Sequence, residues 1–267
     1  NLSKPVHSDV VLNTSFTIIR TWGKNSFKKS ARFNDFEVVS QVKPIKKYTK
    51  REVIKKPNIL IFIIESMGRE YWGELNKNRN IKNFKSFTPF LDSLSKHSLI
   101  FPNAFATSRK SIHGMPSVLA GVPSFEIAYT SSYYSRQKLE SLVSISNALG
   151  YDTSFLHGAK NGSMGFQGFA NTLGYNNYYG LDEFNNDNEY DGFWGIWDEP
   201  FLKFSKSILD DKNEPFLATI FTLSSHEPFI IPDKFKGMFD KGYLPIHKCV
   251  GYTDYSIRQF FKSIEKS

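Results

Sequence analysis

The sequence has 267 residues, 40% of them apolar and 16% aromatic, with a formal net charge of +8. That length and apolar share suit one large α/β domain or two small ones and exclude a disordered chain. The lone cysteine, Cys249, excludes an intrachain disulfide and any cysteine-based zinc cluster.

Residues 1–56 are polar, basic and weakly patterned. They predict a short helix over 9–30 and an extended lead-in after it, a basic connector packed on or leading into the domain that follows. The lysines between 43 and 56 read as a solvated segment or as one drawn to an anionic membrane surface. Their dispersion argues against nucleic acid as a partner. No signal peptide is visible, and the longest apolar run, ending at Ile64, is far short of the roughly 20 residues a membrane helix needs.

Pro57 opens a run over 58–64 that is apolar on both faces, which predicts a central strand of a parallel sheet. Thr88 and Pro89 read as N-cap and first residue of a short helix over 90–94. A short strand is expected over 98–101, and helices over 113–121 and 138–149, the latter closed by Gly150. A strand over 153–157 and a helix over 166–173, ended by Gly174, come next. The stretch 176–191 has no period and reads as loop. A helix over 199–209, a second buried strand over 216–223 and a last amphipathic helix over 252–264 complete the chain. This alternation predicts an α/β layered sheet, mostly parallel, with helices on both faces.

Three chemistry-bearing residues fall at one edge of that sheet. Glu65 ends the first strand, and open α/β sheets gather ligands outside the carboxyl ends of their strands. It is either a surface acid starting a loop or a metal ligand. Ser111 follows Arg109 and Lys110 and precedes a helix, where free N–H groups favour an anion; a serine there is also an ordinary N-cap. No Gly-x-Ser-x-Gly elbow surrounds it, so as a nucleophile it needs another activator, of which a divalent metal is the obvious one. Thr107, Ser108 and Ser117 are the competing hydroxyls, with Ser117 expected inside the helix and facing away from its end. His226, just past the strand 216–223, is placed to meet a phosphate or to cap a loop, and His157 ends the strand 153–157. The other histidines, His7, His97, His113 and His247, read as structural or exposed. P-loop, Rossmann and His-Glu-x-x-His patterns are absent from the sequence.

The blocks Pro57-Asn58-Ile59-Leu60-Ile61-Phe62-Ile63-Ile64-Glu65-Ser66, Thr88-Pro89-Phe90-Leu91-Asp92-Ser93-Leu94 and Phe101-Pro102-Asn103-Ala104-Phe105-Ala106 stand in that order. They resemble the lipoteichoic acid synthase-like, sulfatase-fold phosphoglycerol transferases of the alkaline-phosphatase-like superfamily. Arg109-Lys110-Ser111-Ile112-His113-Gly114-Met115-Pro116 looks like the block carrying that family's Ser/Thr nucleophile. Phe155-Leu156-His157-Gly158, Trp194-Gly195-Ile196-Trp197-Asp198-Glu199 and Ser225-His226-Glu227-Pro228-Phe229 continue the match in order, so the resemblance runs from 57 to the C-terminus.

The resemblance implies a catalytic domain on the extracytoplasmic face of a bacterial membrane, anchored by transmembrane helices upstream of residue 1. In the family a Glu, a Ser/Thr and a late Asp-His pair hold a divalent ion; Mn or Mg is favoured here, with Zn open. The hydroxyl takes a phosphoglycerol-type head group from a phospholipid and passes it to an acceptor polyol or glycan. Glu65 and Ser111 match the first two positions and His226 a phosphate-contacting histidine. His157, Lys110 and Met164 fall at substrate-binding places.

Two departures stand out. No Asp-His dipeptide occurs in the sequence, so the domain 57–267 is expected to be truncated at its C-terminus and inactive by itself. Met164 and Phe166 occupy the places of the Trp and Arg that hold glycerol phosphate. A phosphoethanolamine transferase or phosphodiesterase on the same fold is therefore an alternative, as is a non-catalytic lipid- or partner-binding domain. Formylglycine chemistry is excluded, because Ile112, His113, Gly114 and Met115 lack the required Pro and Arg.

Overall fold

The computed structural model describes residues 32–42, 55–123 and 127–265, with the single positions Ser15, Ile19 and Thr49. The chain divides into two compact units, residues 1–52 with 125–127, and residues 53–124 with 128–267.

In the smaller unit, α1 (Asp35–Val42) stands where an extended lead-in was expected. Its start is locked reciprocally: Glu37 N–H donates to Asn34 Oδ1 at 2.8 Å and Asn34 N–H to Glu37 Oε2 at 3.1 Å. That is a capping box, a signal carried by two polar residues rather than by apolar periodicity. The helix expected over 9–30 lies outside the described residues, save Ser15 and Ile19, which are helical.

The larger unit is built on four parallel strands, β1 (Ile59–Ile63), β2 (Asp152–His157), β3 (Asn177–Tyr179) and β4 (Phe216–Phe221), in the order β1-β4-β2-β3. Its helices are α2 (Gly73–Asn76), α3 (Pro89–Ser95), α4 (Gly114–Ala120), α5 (Leu142–Ala148), α6 (Phe166–Leu173), α7 (Leu181–Phe184), α8 (Asp198–Asp210) and α9 (Ile246–Ile264). Alternation along β2 and β4 sends side chains to two covered faces. Leu156, Ala218 and Ile220 meet Phe201, Leu202, Ile257 and Phe260 of α8 and α9. On the other face Phe155 and Phe221 meet Phe166 of α6, with ring centroids 6.4 and 5.5 Å apart. The expected α/β layering, with helices on both faces, is present.

Several local expectations are corrected. β1 pairs only with β4 among the described residues and is half-buried throughout, so it sits at an edge of the described sheet rather than at its centre. Residues 98–101 form no strand; Leu99 and Phe101 are exposed, and no neighbouring strand among the described residues takes their backbone bonds. α5 starts at Leu142 because Ser141 and Ser144 cap it reciprocally. The stretch 176–191 contains β3 and α7, for Tyr178 stacks on Phe155 at 5.6 Å, a tertiary contact that periodicity cannot show. α9 begins at Ile246, earlier than expected.

Two buried acids do the stitching. Thr88 holds the N-cap position of α3, yet its hydroxyl does not cap it; Asp254 of α9 does, accepting from Phe90 N–H and Leu91 N–H at 2.9 Å each. Asp198, the first residue of α8, is fully buried. Its Oδ1 accepts from Leu223 N–H (2.8 Å) and Ser224 N–H (3.1 Å), and its Oδ2 from the Thr253 hydroxyl (2.7 Å). Burial pushes its pKa up, while the bonds from Thr253, Leu223 and Ser224 pull it back. Asp198→Ala leaves two backbone N–H groups and a hydroxyl without their acceptor, so the expected cost is about 3–5 kcal/mol. Urea unfolding should show this as a lowered midpoint at unchanged m-value; a loss below about 1 kcal/mol would show that the knot is not limiting.

Candidate active site

The carboxyl ends of β1 and β4 are joined by two bonds. Thr222 N–H donates to Ile63 O, and Glu65 N–H donates to Thr222 Oγ1, both at 3.0 Å. Glu65 is thereby held at the sheet's edge with its side chain buried. The next residue, Ser66, has a left-handed backbone (φ +51°), which turns its hydroxyl onto Glu65 Oε1 at 2.7 Å. Glu65 Oε2 has no partner among the described residues.

A cleft of about 810 Å³ opens there, walled by Glu65, Ser66 and Phe221 on the sheet side and by 105–111 opposite. Ser111 begins a 3-10 turn (Ser111–His113) that runs directly into α4. The N-cap is Lys110, in extended conformation, and no side chain caps the turn. The Ser111 hydroxyl makes no hydrogen bond among the described residues, so the ordinary N-cap reading is set aside. Arg109 and Lys110 line the same cleft without an ion-pair partner among the described residues, which leaves their charge available to an anion. Ser117 was expected to face away, yet it too lines the cleft. A 3-10 turn brings residues three apart onto one side, so Ser111, Gly114 and Ser117 share a face.

The structure thus brings Glu65, Ser111 and Lys110 together; His157, His226 and Met164 do not line the cleft. His157 is on the face of β2 that packs under α6. Its ring lies 5.3 Å from Phe166 and 5.0 Å from Phe221, and Nδ1–H donates to Phe221 O at 3.2 Å. Burial lowers its pKa to about 4, and Nε2 is buried without a partner. His226 is half-buried on the loop after β4, its ring 4.1 Å from Trp194, with Nδ1–H on Glu227 O at 3.0 Å. Trp194 Nε1–H reaches the same carbonyl at 2.6 Å. Met164 sits half-buried at φ +52° in the turn before α6. Sequence reading missed Thr222 and Ser66, whose hydroxyls set the Glu65 backbone and carboxylate; only their adjacency to strand ends hints at it.

As a metal site, the cleft offers two hard oxygen donors without other bonds among the described residues, Glu65 Oε2 and the Ser111 hydroxyl, of the kind that Mg, Mn or Zn takes. Among the described residues no group of three or more His, Cys, Asp or Glu is arranged to hold a metal.

A family model described as Sulfatase matches residues 57–267. The chain is 25% identical over 234 residues to lipoteichoic acid synthase 1 of Bacillus subtilis (strain 168), covering 74% of this chain and 35% of that protein. Among solved structures, a protein in the alkaline phosphatase superfamily from Vibrio parahaemolyticus superimposes with a TM-score of 0.70 at 25% identity, over 80% of this chain and 51% of the other. The lipoteichoic acid synthase LtaP from Listeria monocytogenes does so with 0.69 at 22% identity, over 79% and 53%. The chain therefore spans about a third of that curated relative and about half of each solved structure.

The buried imidazole gives a test of the cleft floor. A folded-state pKa lowered from 6.5 to about 4 stabilises above pH 6.5 and loses that stability as pH falls toward 4. Between pH 7 and 5 the loss is on the order of 2 kcal/mol. Denaturation of His157→Phe at the two pH values should lack this component; an unchanged acid dependence would show that His157 is not held neutral in the fold.

Proposed function

The chain belongs to the sulfatase family, and from that premise we propose that it carries the catalytic centre of a metal-dependent transferase. The enzyme moves a phosphoglycerol-type head group from a phospholipid to a polyol or glycan through a covalent Ser111 intermediate, on the extracytoplasmic face of a membrane. The observation that supports this most is the pairing of a buried Glu65 with an unbonded Ser111 hydroxyl in one cleft. Arg109 and Lys110, without an ion-pair partner among the described residues, line the same cleft. Residues 1–56 read as the connector toward the membrane anchor; among the described residues no helix is long and apolar enough to cross a membrane.

Glu65 and Ser111 would hold the divalent ion, which when bound supplies Lewis-acid activation of the hydroxyl. Ser66 fixes one Glu65 oxygen and leaves the other free for that ligation. Arg109 and Lys110 draw in the phosphodiester and orient its oxygens. Ser111 Oγ then attacks phosphorus: the Oγ–P bond forms, the bond to diacylglycerol oxygen breaks, and the serine proton ends on that oxygen. In the second half the acceptor hydroxyl attacks the same phosphorus, and its proton returns to Ser111. His157 acts at a distance, by holding Phe221 in the floor of the cleft. For His226, on the loop after β4, and Met164, in the turn before α6, contact with the phosphate and head group would require the bound substrate to extend beyond the cleft.

In the protein expressed from its complete reading frame, Ser111→Ala should lower head-group transfer by about 10⁴-fold or more. The unfolding midpoint should barely move, since the hydroxyl makes no hydrogen bond among the described residues. Mass spectrometry after incubation with phosphatidylglycerol should find an adduct on Ser111, whose mass tells phosphoglycerol from phosphoethanolamine. An adduct on Ser108 or Ser117, or full activity of Ser111→Ala, refutes the assignment. Calorimetric titration with Mn²⁺ should show affinity reduced about tenfold or more in Glu65→Ala; equal affinity would remove Glu65 from the ligand set.

A further inference from the structure

A second cavity, of about 530 Å³, lies on the other side of the start of α9 and shares no lining residue with the cleft. That is the volume of a small organic ligand. The separation is thin. Ile246 faces the cleft while His247 faces the second cavity, and Tyr71, which lines the cleft, meets the His247 ring edge-on at 5.8 Å.

The walls are aromatic: Phe87, Phe90, Phe239 and Tyr255 contribute apolar surface. Three of the polar groups among them form one helical stripe, His247, Asp254 and Arg258 of α9, and Ser86, Ser93 and Asp240 add others from outside it. Arg258 is exposed and has no ion-pair partner among the described residues. Asp254 spends one lone pair of each oxygen on Phe90 N–H and Leu91 N–H and retains further acceptor capacity. Burial pushes its pKa up to about 6. His247 Nδ1 accepts Tyr243 N–H at 3.1 Å, so the neutral ring carries its proton on Nε2 as a donor. Burial lowers the His247 pKa, with Asp240 opposing. The ring is seated by Phe87, stacked at 4.0 Å, and by Gly242, where any Cβ would collide with the imidazole.

Donors and acceptors of both signs therefore converge between apolar faces. A simple anion would meet the Asp254 carboxyl, Asp240 being already engaged by Lys85 and Gly242 N–H, and a simple cation would meet Arg258. A hydroxyl both donates and accepts, so a ligand dense in hydroxyls satisfies all of these groups at once. We propose that this second cavity binds a neutral polyhydroxylated ligand, a glycan or polyol, and seats the acceptor of the transfer reaction next to the cleft. The acceptor role rests on the transferase reading above; the binding itself does not.

Calorimetry on the full chain tests it with maltose, sucrose and lactose as neutral probes, and gluconate and glucosamine as charged ones. At least one neutral probe should saturate in the millimolar range. Its affinity should fall about tenfold or more in Arg258→Ala and in Tyr255→Leu, and stay unchanged in Ser111→Ala. Arg258 is exposed, so that variant keeps the fold, which circular dichroism verifies. No saturation by any neutral probe up to about 50 mM, tighter binding of a charged probe, or unchanged affinity in Arg258→Ala overturns the proposal. Absence of head-group transfer by the unaltered protein, by contrast, would remove the transferase reading and leave the sugar site standing.

Discussion

The buried carboxylate of Asp198 is the constraint on which the working edge of the sheet depends. A carboxylate taken fully out of water is costly unless its lone pairs are filled, and here they are filled by the loop after β4 and by Thr253 of α9. Asp198 N–H in turn donates to Ser224 Oγ at 2.9 Å, and Ser225 bonds Thr253 at 2.9 Å. One side chain thus ties α8, α9 and residues 223–225 into a single object. That object includes the strand end against which Glu65 is zipped through Thr222. Disturbing it moves the loop that carries His226 as well as the floor of the cleft.

The cleft itself combines groups that are separately ordinary. A serine at the start of a helix normally spends its hydroxyl on the backbone. Ser111 does not, because the cap position falls on Lys110 and the chain enters α4 through a 3-10 turn. Glu65 has one oxygen fixed and one free. Arg109 and Lys110 supply positive charge within the same walls. Preorganisation of this kind lets charged groups act without reorganising at the moment of reaction.

Much of this was legible in the sequence where a single segment carries the information. The runs at 59–63 and 216–221 announce parallel strands because both of their faces are apolar, though only the second is buried. Phe166–Leu173 ends where Gly174 takes a left-handed backbone (φ +93°). Glu65 and Ser111 were legible as a pair because both fall at strand or helix ends on one edge. What was hidden is long-range. The cap on α3 comes from Asp254, more than 160 residues away in sequence, and no local pattern foretells it. β3 is a strand because Tyr178 finds Phe155. His157 was read as a residue at a strand's end, and side-chain alternation carries it under α6 instead of into the cleft. Ser117 faces inward because the 3-10 turn shifts the helical phase that a regular helix would have set.

Ser66 shows how tightly the chain's tolerance to change is drawn at this edge. Its left-handed backbone suits glycine or asparagine, and a serine there carries strain of about 1–3 kcal/mol. Glycine would relax the turn but release Glu65 Oε1; alanine would keep the strain and lose the hydroxyl as well. Position 66 is therefore a place where thermal robustness and the orientation of a carboxylate pull in opposite directions. Selection for a more heat-resistant chain and selection for a better-aimed one would leave different residues behind at that single site.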